Sequence, residues 1–583
     1  MAIEKDQIAS ILDEIGTLLE LKGENPFKCR AFHNAARTIS TLTQDIHELV
    51  ATGELRLIKG IGEALTEKIT ELVQTGKLRY YEELKASLHP GLLNLLRIQG
   101  LGPKRVKLLH DKLHITSVEE LRLACEQHLL ATVEGFGVKT EENILQGIEQ
   151  LQKHVDKHLY PKAYLAAESI VNTLKQVRGV IQCEVAGSLR RKKEIIGDID
   201  ILVSAKKTHA EKIIEAFASH PAVDRILAKG DTKSSVILKS SINCDLRVVD
   251  EKEFPFALNY FTGSKEHNIE MRSRAKKFDW SLNEYGFSEL SSDEKRGKAK
   301  RIVPCRTEVD IYKVLGMEYI PPELRENMGE FEAAEKGLLP QPLEFEDIRG
   351  TFHAHTTYSD GVNTLAEMAQ AAIRQGWEYL GIADHSKSVG YAGGLSEERV
   401  KLQAKEIEQL NKTFSKFRLF KGTEVDILPD GSLDWSDRVL SRFDFVVASV
   451  HMKFKMTESE ATKRIIKALK NKHVTMLGHP TGRLLLEREG YPLNMRNVID
   501  AASDYGKIIE INAHPTRFDL DWRWCRYAKE RGVRISINPD AHKINGLNDV
   551  RFGIGIARKG WLEKQNILNS LSLKEICTLW HIM

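Results

Sequence analysis

Along the first 150 residues, Leu, Ile and Ala recur at helical spacing with few β-branched runs, which predicts an all-helical region. The pattern then changes. Residues 198–203 and 242–249 are short, strongly apolar and punctuated by acids, and both read as strands. From residue 346 it changes again. Runs at 351–355, 379–383, 419–425, 443–450, 474–478, 507–512 and 533–538 read as strands, and helical patterns separate most of them. Regular alternation of strand and helix predicts a parallel α/β barrel. The longest apolar runs, such as 445–450, are far short of a membrane span.

Three glycine motifs punctuate the helical region. They are Ile58-Lys59-Gly60-Ile61-Gly62, Ile98-Gln99-Gly100-Leu101-Gly102 and Val133-Glu134-Gly135-Phe136-Gly137. Each has the form apolar-x-Gly-apolar-Gly, and each precedes a helical pattern with a lysine in it: Lys68, Lys104 or Lys139. Paired glycines permit a tight turn with positive φ. The N–H groups that open the next helix can then hold a phosphate oxygen. The motifs resemble the helix–hairpin–helix, a device that grips the DNA backbone without reading its sequence.

Residues 151–316 carry a second kind of chemistry. Gly187-Ser188-Leu189-Arg190-Arg191 is followed by Gly197-Asp198-Ile199-Asp200, and Asp245 lies in the apolar run 242–249. Asp198 and Asp200 are two apart in a strand, so both face one way. With Asp245 from a neighbouring strand, three carboxylates on one face need cations between them. This is the arrangement that two Mg²⁺ ions (or Mn²⁺) require to hold an attacking 3′-oxygen and a nucleoside triphosphate. Gly187 and Ser188 allow close approach to the phosphates, Gly197 opens the acidic strand, and Arg191 can neutralise developing charge. Downstream lie Tyr260-Phe261-Thr262-Gly263 and Asn268, then Arg272.

Together these motifs closely resemble family X DNA polymerases, DNA polymerase beta among them. The resemblance implies that Tyr260 and Phe261 flank the sugar of the incoming nucleotide, with Tyr260 excluding a 2′-hydroxyl. It implies close approach at Gly263, a minor-groove contact from Asn268 and a template contact from Arg272. Arg274, Lys276 and Lys277 are further candidates for phosphates. So is the run Lys295, Arg296, Lys298, Lys300 and Arg301, for which a solvated loop is an equal reading. By the same resemblance Lys68 takes the place of a lysine that forms a Schiff base and removes 5′-deoxyribose phosphate. A surface lysine near phosphate is the equal alternative, and Ala64 stands where relatives are often basic.

Nine of the twenty histidines fall in 346–583, and their placement matters more than their number. His353, His355, Asp360, His385, Glu424, His451, His479, Asp540 and His542 lie at or just after the C-terminal ends of the predicted strands, the rim where barrels build active sites. These motifs resemble the PHP (polymerase and histidinol phosphatase) family. That resemblance implies up to three Mn²⁺, Zn²⁺ or Fe ions held by these nine residues, with Glu424 bridging two, and hydrolysis of phosphoesters. His514 is expected just behind the ligands. Pro539, before Asp540, departs from the serine frequent in relatives. Arg483 is a candidate phosphate contact.

Composition adds bounds. The 583 residues imply several domains. The net charge of +3 excludes a polybasic tail and is silent about nucleic acid. Seven scattered cysteines without a C-x-x-C pair, and no apolar leader in the first ten residues, fit a cytoplasmic protein with reduced thiols. Residues 317–345 hold two basic and seven acidic side chains and four prolines, and read as a solvated acidic linker.

The expected organisation is a multidomain chain. It has helical domains at 1–85 and 86–150, an α/β nucleotidyltransferase palm at 151–258, a nucleotide-selecting thumb at 259–316, a linker at 317–345 and a (β/α)7-type PHP barrel at 346–583. The expected function is template-directed filling of short gaps in base excision repair. The barrel is expected to be a 3′→5′ exonuclease that also acts on abasic sites or 3′-phosphates. Expected partners are gapped or nicked duplex DNA with a 5′-phosphate and deoxynucleoside triphosphates, with no membrane and a monomeric chain. The rival readings are a non-templated nucleotidyltransferase and a DNA-binding scaffold whose barrel metals are structural.

Overall fold

The computed structural model describes the chain apart from residues 1, 2, 4, 43, 59, 99, 155, 291–301 and 583, and apart from the side chains of 6, 41, 150–154, 302 and 391. The basic run at 295–301 therefore lies outside the described residues. The backbone forms two compact units, 1–155 and 156–583. No described helix is long and apolar enough to cross a membrane.

The first unit is helical, as its periodicity predicts. Helix Glu63–Thr75 buries Leu65, Ile69 and Leu72, and helix Pro103–Leu113 buries Val106 and Leu109. The three glycine motifs share one geometry. The first glycine of each is left-handed, with φ of 94° at Gly60, 90° at Gly100 and 87° at Gly135. The apolar residue between the glycines (Ile61, Leu101 or Phe136) is buried, and its N–H bonds the carbonyl three residues back at 3.0–3.1 Å. Burial of that side chain pins the turn. The second glycine then begins the next helix, its carbonyl accepting from residues three and four places on.

The second unit contains a five-stranded sheet and a seven-stranded barrel. The sheet comprises β1 (Val180–Val185), β2 (Asp198–Ala205), β3 (Val223–Lys229), β4 (Lys233–Leu238) and β5 (Asn243–Val249), in the order β1-β2-β5-β4-β3. Only β2 and β5 pair in parallel, and their register sets Asp200 directly beside Asp245. Helices Phe254–Thr262 and Lys265–Lys277 follow, then a hairpin of Trp280–Asn283 and Gly286–Glu289.

The stretch 317–345 is not a solvated linker. Glu330–Lys336 is a helix, and Ile320, Leu324, Phe331 and Ala334 join a core with Phe256, Met271 and Tyr312. Several of its acids have partners within the fold. Glu330 is fully buried and hydrogen-bonded to His267 (2.9 Å), while Glu323 pairs with Lys192, and Glu326 with Arg191 and Lys193. Burial also pulls His267 down to about 4, so it is neutral at physiological pH.

The barrel strands are β6 (Gly350–Ala354), β7 (Tyr379–Ile382), β8 (Arg418–Asp426), β9 (Phe445–Ser449), β10 (Met476–Leu477), β11 (Ile508–Asn512) and β12 (Ile535–Asn538). They are parallel and ordered as in the chain. Closure is nearly complete: Ala354 bridges Ala541, and His355 N–H bonds Ala541 O at 2.9 Å. Both strand faces are buried, as in parallel sheets covered by helices. Val425, Ala448 and Ile511 belong to the core shared with the helices. Phe352, Phe420, Phe445 and Met476 form a separate core with residues of the C-terminal helix Leu573–Leu579 and Trp580. The Trp580 ring lies 4.8 Å from Phe352 and 5.6 Å from Phe445, closing the end of the barrel where the strands begin.

Candidate functional site

The sheet carries the first site. Asp198, Asp200 and Asp245 stand on one face of β2 and β5. Asp200 is raised to about 6, first by burial and then by the charges of Asp198 and Asp245, against Arg247 and Lys233. Lys233 Nζ lies 2.8 Å from Asp245. This is a face whose negative charges await cations.

The turn before β2 closes over this face. Gly187 has φ +61°, and an added Cβ would lie 2.4 Å from Asp200 Oδ2, so only glycine lets the turn approach the carboxylate. Ser188 follows in the short helix Gly187–Arg190. Arg191 is 9% exposed, with Nη1 on Thr262 O (2.5 Å) and Nε on Glu326 (3.1 Å). It also stands beside Gly263, where an added Cβ would be 3.1 Å from Nη1. Gly197 immediately precedes β2.

Tyr260 and Phe261 meet edge to face at 5.2 Å, and Arg247 lies 4.6 Å over Phe261. Asn268 Nδ2 donates to Tyr260 O (2.7 Å), fixing that pair. Arg272 is exposed. Arg274 corrects the expectation of a phosphate contact: it is 7% exposed, stacked on Phe331 and paired with Glu270 and Glu335.

The barrel rim carries the second site. All nine predicted donors converge there. His355, Asp360, His385 and His542 form one group, His353, His355 and Asp540 a second, and His385, Glu424 and His451 a third, each with ligand atoms within 4.8 Å. His479 Nε2 joins the third through Glu424 at 2.8 Å. Glu424 is 1% exposed and also lies 3.5 Å from His353 and 3.0 Å from His385.

Burial would raise the carboxyls of Glu424 and Asp540, yet the surrounding histidines hold both well below the usual range. Burial, with His542 and His385 nearby, pushes His355 down to about 3, so its imidazole is neutral. Among the described residues, His353 Nε2, His355 Nδ1, His385 Nδ1, His451 Nδ1 and His479 Nδ1 are buried without a hydrogen-bond partner. Orphaned imidazole nitrogens beside ionised carboxylates fit bound metal cations.

A supporting shell was not visible in the sequence. Glu510, fully buried, takes His353 Nδ1 at 2.7 Å and His479 N–H at 2.8 Å, and is held by Asn538 and Asn512. Asp384 gathers Thr356, Ser359 and Gln403, fixing the loop that presents Asp360. Asp426 accepts His451 N–H at 3.1 Å. The only sequence signal was an acid inside an apolar strand for Glu510 and Asp426, and an acid just past one for Asp384. His514 lies behind the rim, its N–H on Asn512 and its Nδ1 on Thr516.

Arg483, the candidate phosphate contact, is already engaged within the fold. Its three guanidinium nitrogens are committed to Arg517 O, Asp521 and Phe518 O. Arg517 instead stands beside the cluster, with Nε 3.5 Å from Asp540.

In the first unit, Gly60, Gly62, Lys68 and Tyr80 line one cleft of about 520 Å³. Lys68 Nζ lies 4.9 Å over the Tyr80 ring. At the second hairpin Gly102 opens helix Pro103–Leu113, whose first turn carries Lys104 and Arg105. At the third, Gly135 and Gly137 precede helix Val138–His154.

Comparison with known proteins agrees with this layout. Family models match at 3–78 and 92–150 (helix–hairpin–helix), 162–245 (DNA polymerase beta palm), 257–326 (DNA polymerase beta thumb) and 351–514 (PHP domain). A protein of Bacillus subtilis (strain 168) named DNA polymerase/3'-5' exonuclease PolX is 39% identical over 576 residues, covering 98% of this chain and 99% of its own. A probable phosphatase of Caldanaerobacter subterraneus subsp. tengcongensis is 32% identical over 207 residues, 33% of this chain and 74% of its own. Another, from Thermoanaerobacter sp. (strain X514), is 29% identical over 230 residues, 37% of this chain and 89% of its own. The first relative is matched from end to end, and the palm and PHP models each fall on one of the two sites, so the chain belongs to the bacterial family X DNA polymerases that carry a C-terminal PHP domain.

Proposed function

We propose that the chain fills short gaps in duplex DNA on a template, as in base excision repair, and that its barrel removes nucleotides from 3′ ends. Membership of the family brings DNA and deoxynucleoside triphosphates as substrates and divalent metals as cofactors. One observation carries the reading. Register puts Asp200 beside Asp245 under Gly187, while a second, independent acid–histidine cluster fills the barrel rim of the same unit.

At the first site Asp198, Asp200 and Asp245 hold Mg²⁺ or Mn²⁺, and Gly187, Ser188, Arg191 and Gly197 hold the triphosphate. Tyr260 and Phe261 flank the sugar, with Gly263 leaving room for it. Asn268 and Arg272 meet the base edge and the template. At the second site the nine rim donors hold up to three Mn²⁺, Zn²⁺ or Fe ions. Bound ions supply charge neutralisation and Lewis acidity at both sites. Glu510 keeps the His353 proton on Nδ1, so that Nε2 is presented as a donor. Arg517 supplies the positive charge for the scissile phosphate.

The hairpins at Gly60, Gly62, Gly100, Gly102, Gly135 and Gly137, with Lys104, hold backbone phosphates of a gapped or nicked duplex bearing a 5′-phosphate. Lys68, in its cleft, is the candidate Schiff-base lysine. We assign the domains as read from the sequence, with the thumb extended through 345. The chain acts as a cytoplasmic monomer.

The test is extension and degradation on a gapped, 5′-phosphorylated duplex with Mg²⁺ or Mn²⁺. Asp200→Ala is expected to abolish synthesis and spare 3′-end hydrolysis, and His353→Ala the reverse. Extension that ignores the template would sink the polymerase reading. Nuclease activity surviving His353→Ala would sink the barrel assignment.

A further inference from the structure

The nucleotide loop does not end at Arg191. Lys192 and Lys193 continue it, and the loop rests on barrel helix Val550–Lys559. Gly555 on that helix makes room for it, because an added Cβ would come within 2.6 Å of Lys192 Cδ. The last residue of the helix, Lys559, is 1% exposed. Its ammonium donates to Glu326 (2.6 Å), to Arg191 O (3.1 Å) and to Glu323 O (3.4 Å), and lies 4.6 Å over the Trp522 ring. Arg191 Nε shares the same Glu326 oxygen at 3.1 Å, while Lys193 stands off at 3.8 Å from the other. The Glu326 side chain is only 10% exposed.

Arg191 gives Nε to Glu326 and Nη1 to Thr262 O, so a phosphate that draws its guanidinium charge competes with Glu326 for it. A carboxylate this buried tolerates losing one cation only if another remains, because an uncompensated buried charge is strongly unfavourable. Lys193 is too distant to serve alone. Lys559 is already in hydrogen-bond contact, and two carbonyls hold it in place.

We propose that Lys559, a residue of the barrel, is a positioning residue for nucleotidyl transfer: it is the standing counter-ion of Glu326 that frees Arg191 for the incoming triphosphate. The inference rests on the reading of Arg191 as a triphosphate ligand. It makes the barrel a participant in nucleotide binding at the other site, separate from its own hydrolysis.

The experiment is single-nucleotide insertion on a gapped duplex by the full chain. It is run at pH 7, below the value of about 8 to which burial lowers this ammonium against the pull of Glu326. Lys559→Met is expected to raise KM for the deoxynucleotide about tenfold, the scale of one charge-assisted contact, with kcat and 3′-end hydrolysis within about twofold. Adding Glu326→Gln removes the need for a counter-ion, so the double variant is expected to return KM to within about twofold of the parent. A fold defect would not be reversed in this way. An unchanged KM in Lys559→Met, or a rise that Glu326→Gln fails to reverse, overturns the proposal. Arg191→Ala separates the two levels. If its KM is unchanged, the reading of Arg191 falls and this proposal with it. If its KM rises while Lys559→Met has no effect, only the proposal about Lys559 falls.

Discussion

Glu308 offers a sharp test of how the sheet and the region beyond it are held together. It opens helix Glu308–Val314 and is 7% exposed. Arg190, one residue before Arg191, grips both its oxygens at 2.6 and 3.1 Å, and the fully buried Arg325 adds a bond of 2.7 Å. Burial would raise this carboxyl, but Arg325 and Arg190 overcome it and hold it at about 2 against an ordinary 4.5. A group depressed in the folded state stabilises above its unfolded value and loses that stabilisation as pH falls through its folded one. The difference is worth about 3 kcal/mol at neutral pH.

The substitution Glu308→Gln keeps the shape, removes the charge and strands Arg325. Breaking a buried pair in this way costs about 3–5 kcal/mol, which agrees with the titration figure. Denaturant unfolding of the transition carrying residues 156–583 is the assay. We expect a loss of about 3–4 kcal/mol at pH 7.5, narrowing by about 2 kcal/mol at pH 3 as the wild-type carboxylate nears its own protonation. Glu308→Gln combined with Arg325→Met should recover most of the loss, since it removes the stranded charge. A loss below about 1 kcal/mol, or one independent of pH, would refute the reasoning.

Other consequences are equally direct. Gly187→Ala forces a Cβ against Asp200 and should lower synthesis by about 100-fold or more while sparing 3′-end hydrolysis; comparable synthesis would mean the turn yields freely. Glu510→Gln should weaken metal binding at the rim by about 10–100-fold, read as a higher Mn²⁺ requirement for hydrolysis that excess metal restores. Arg517→Ala should cut kcat/KM for 3′-end hydrolysis by about tenfold or more, whereas Arg483→Ala should lower the melting temperature first; the opposite pattern would return Arg483 to the phosphate.

The sequence disclosed the sites better than their supports. The nine rim donors were legible because parallel barrel strands are short apolar runs, so a histidine or acid at the end of each stands out. The Asp198, Asp200 and Asp245 face was legible because strand periodicity is two. Even so, of 474–478 only Met476–Leu477 is strand, since pairing needs a neighbour in register and not only apolar side chains. Glu510 was invisible because its partners lie at 353 and 479, and nothing local marks an acid as a support. The acids of 317–345 looked solvated for the same reason. The cations of Glu323 and Glu326 are Arg191, Lys192 and Lys559, more than 130 residues away in either direction, so composition reports charge without its pairing.

The aromatic plug around Trp580 has a consequence for how the barrel can work. Among the described residues, Phe352, Phe420 and Phe445 with Trp580 fill the end where the strands begin, which leaves the rim as the open end. No nucleic acid strand can be threaded through the barrel like string through a bead. Whatever is cut must arrive as a terminus or a turned-out residue, dip in and withdraw by the way it came. Each released nucleotide must clear the doorway before the shortened end returns. A 3′ end that enters such a chamber leaves it by the side on which it came, the side that also faces the remaining duplex.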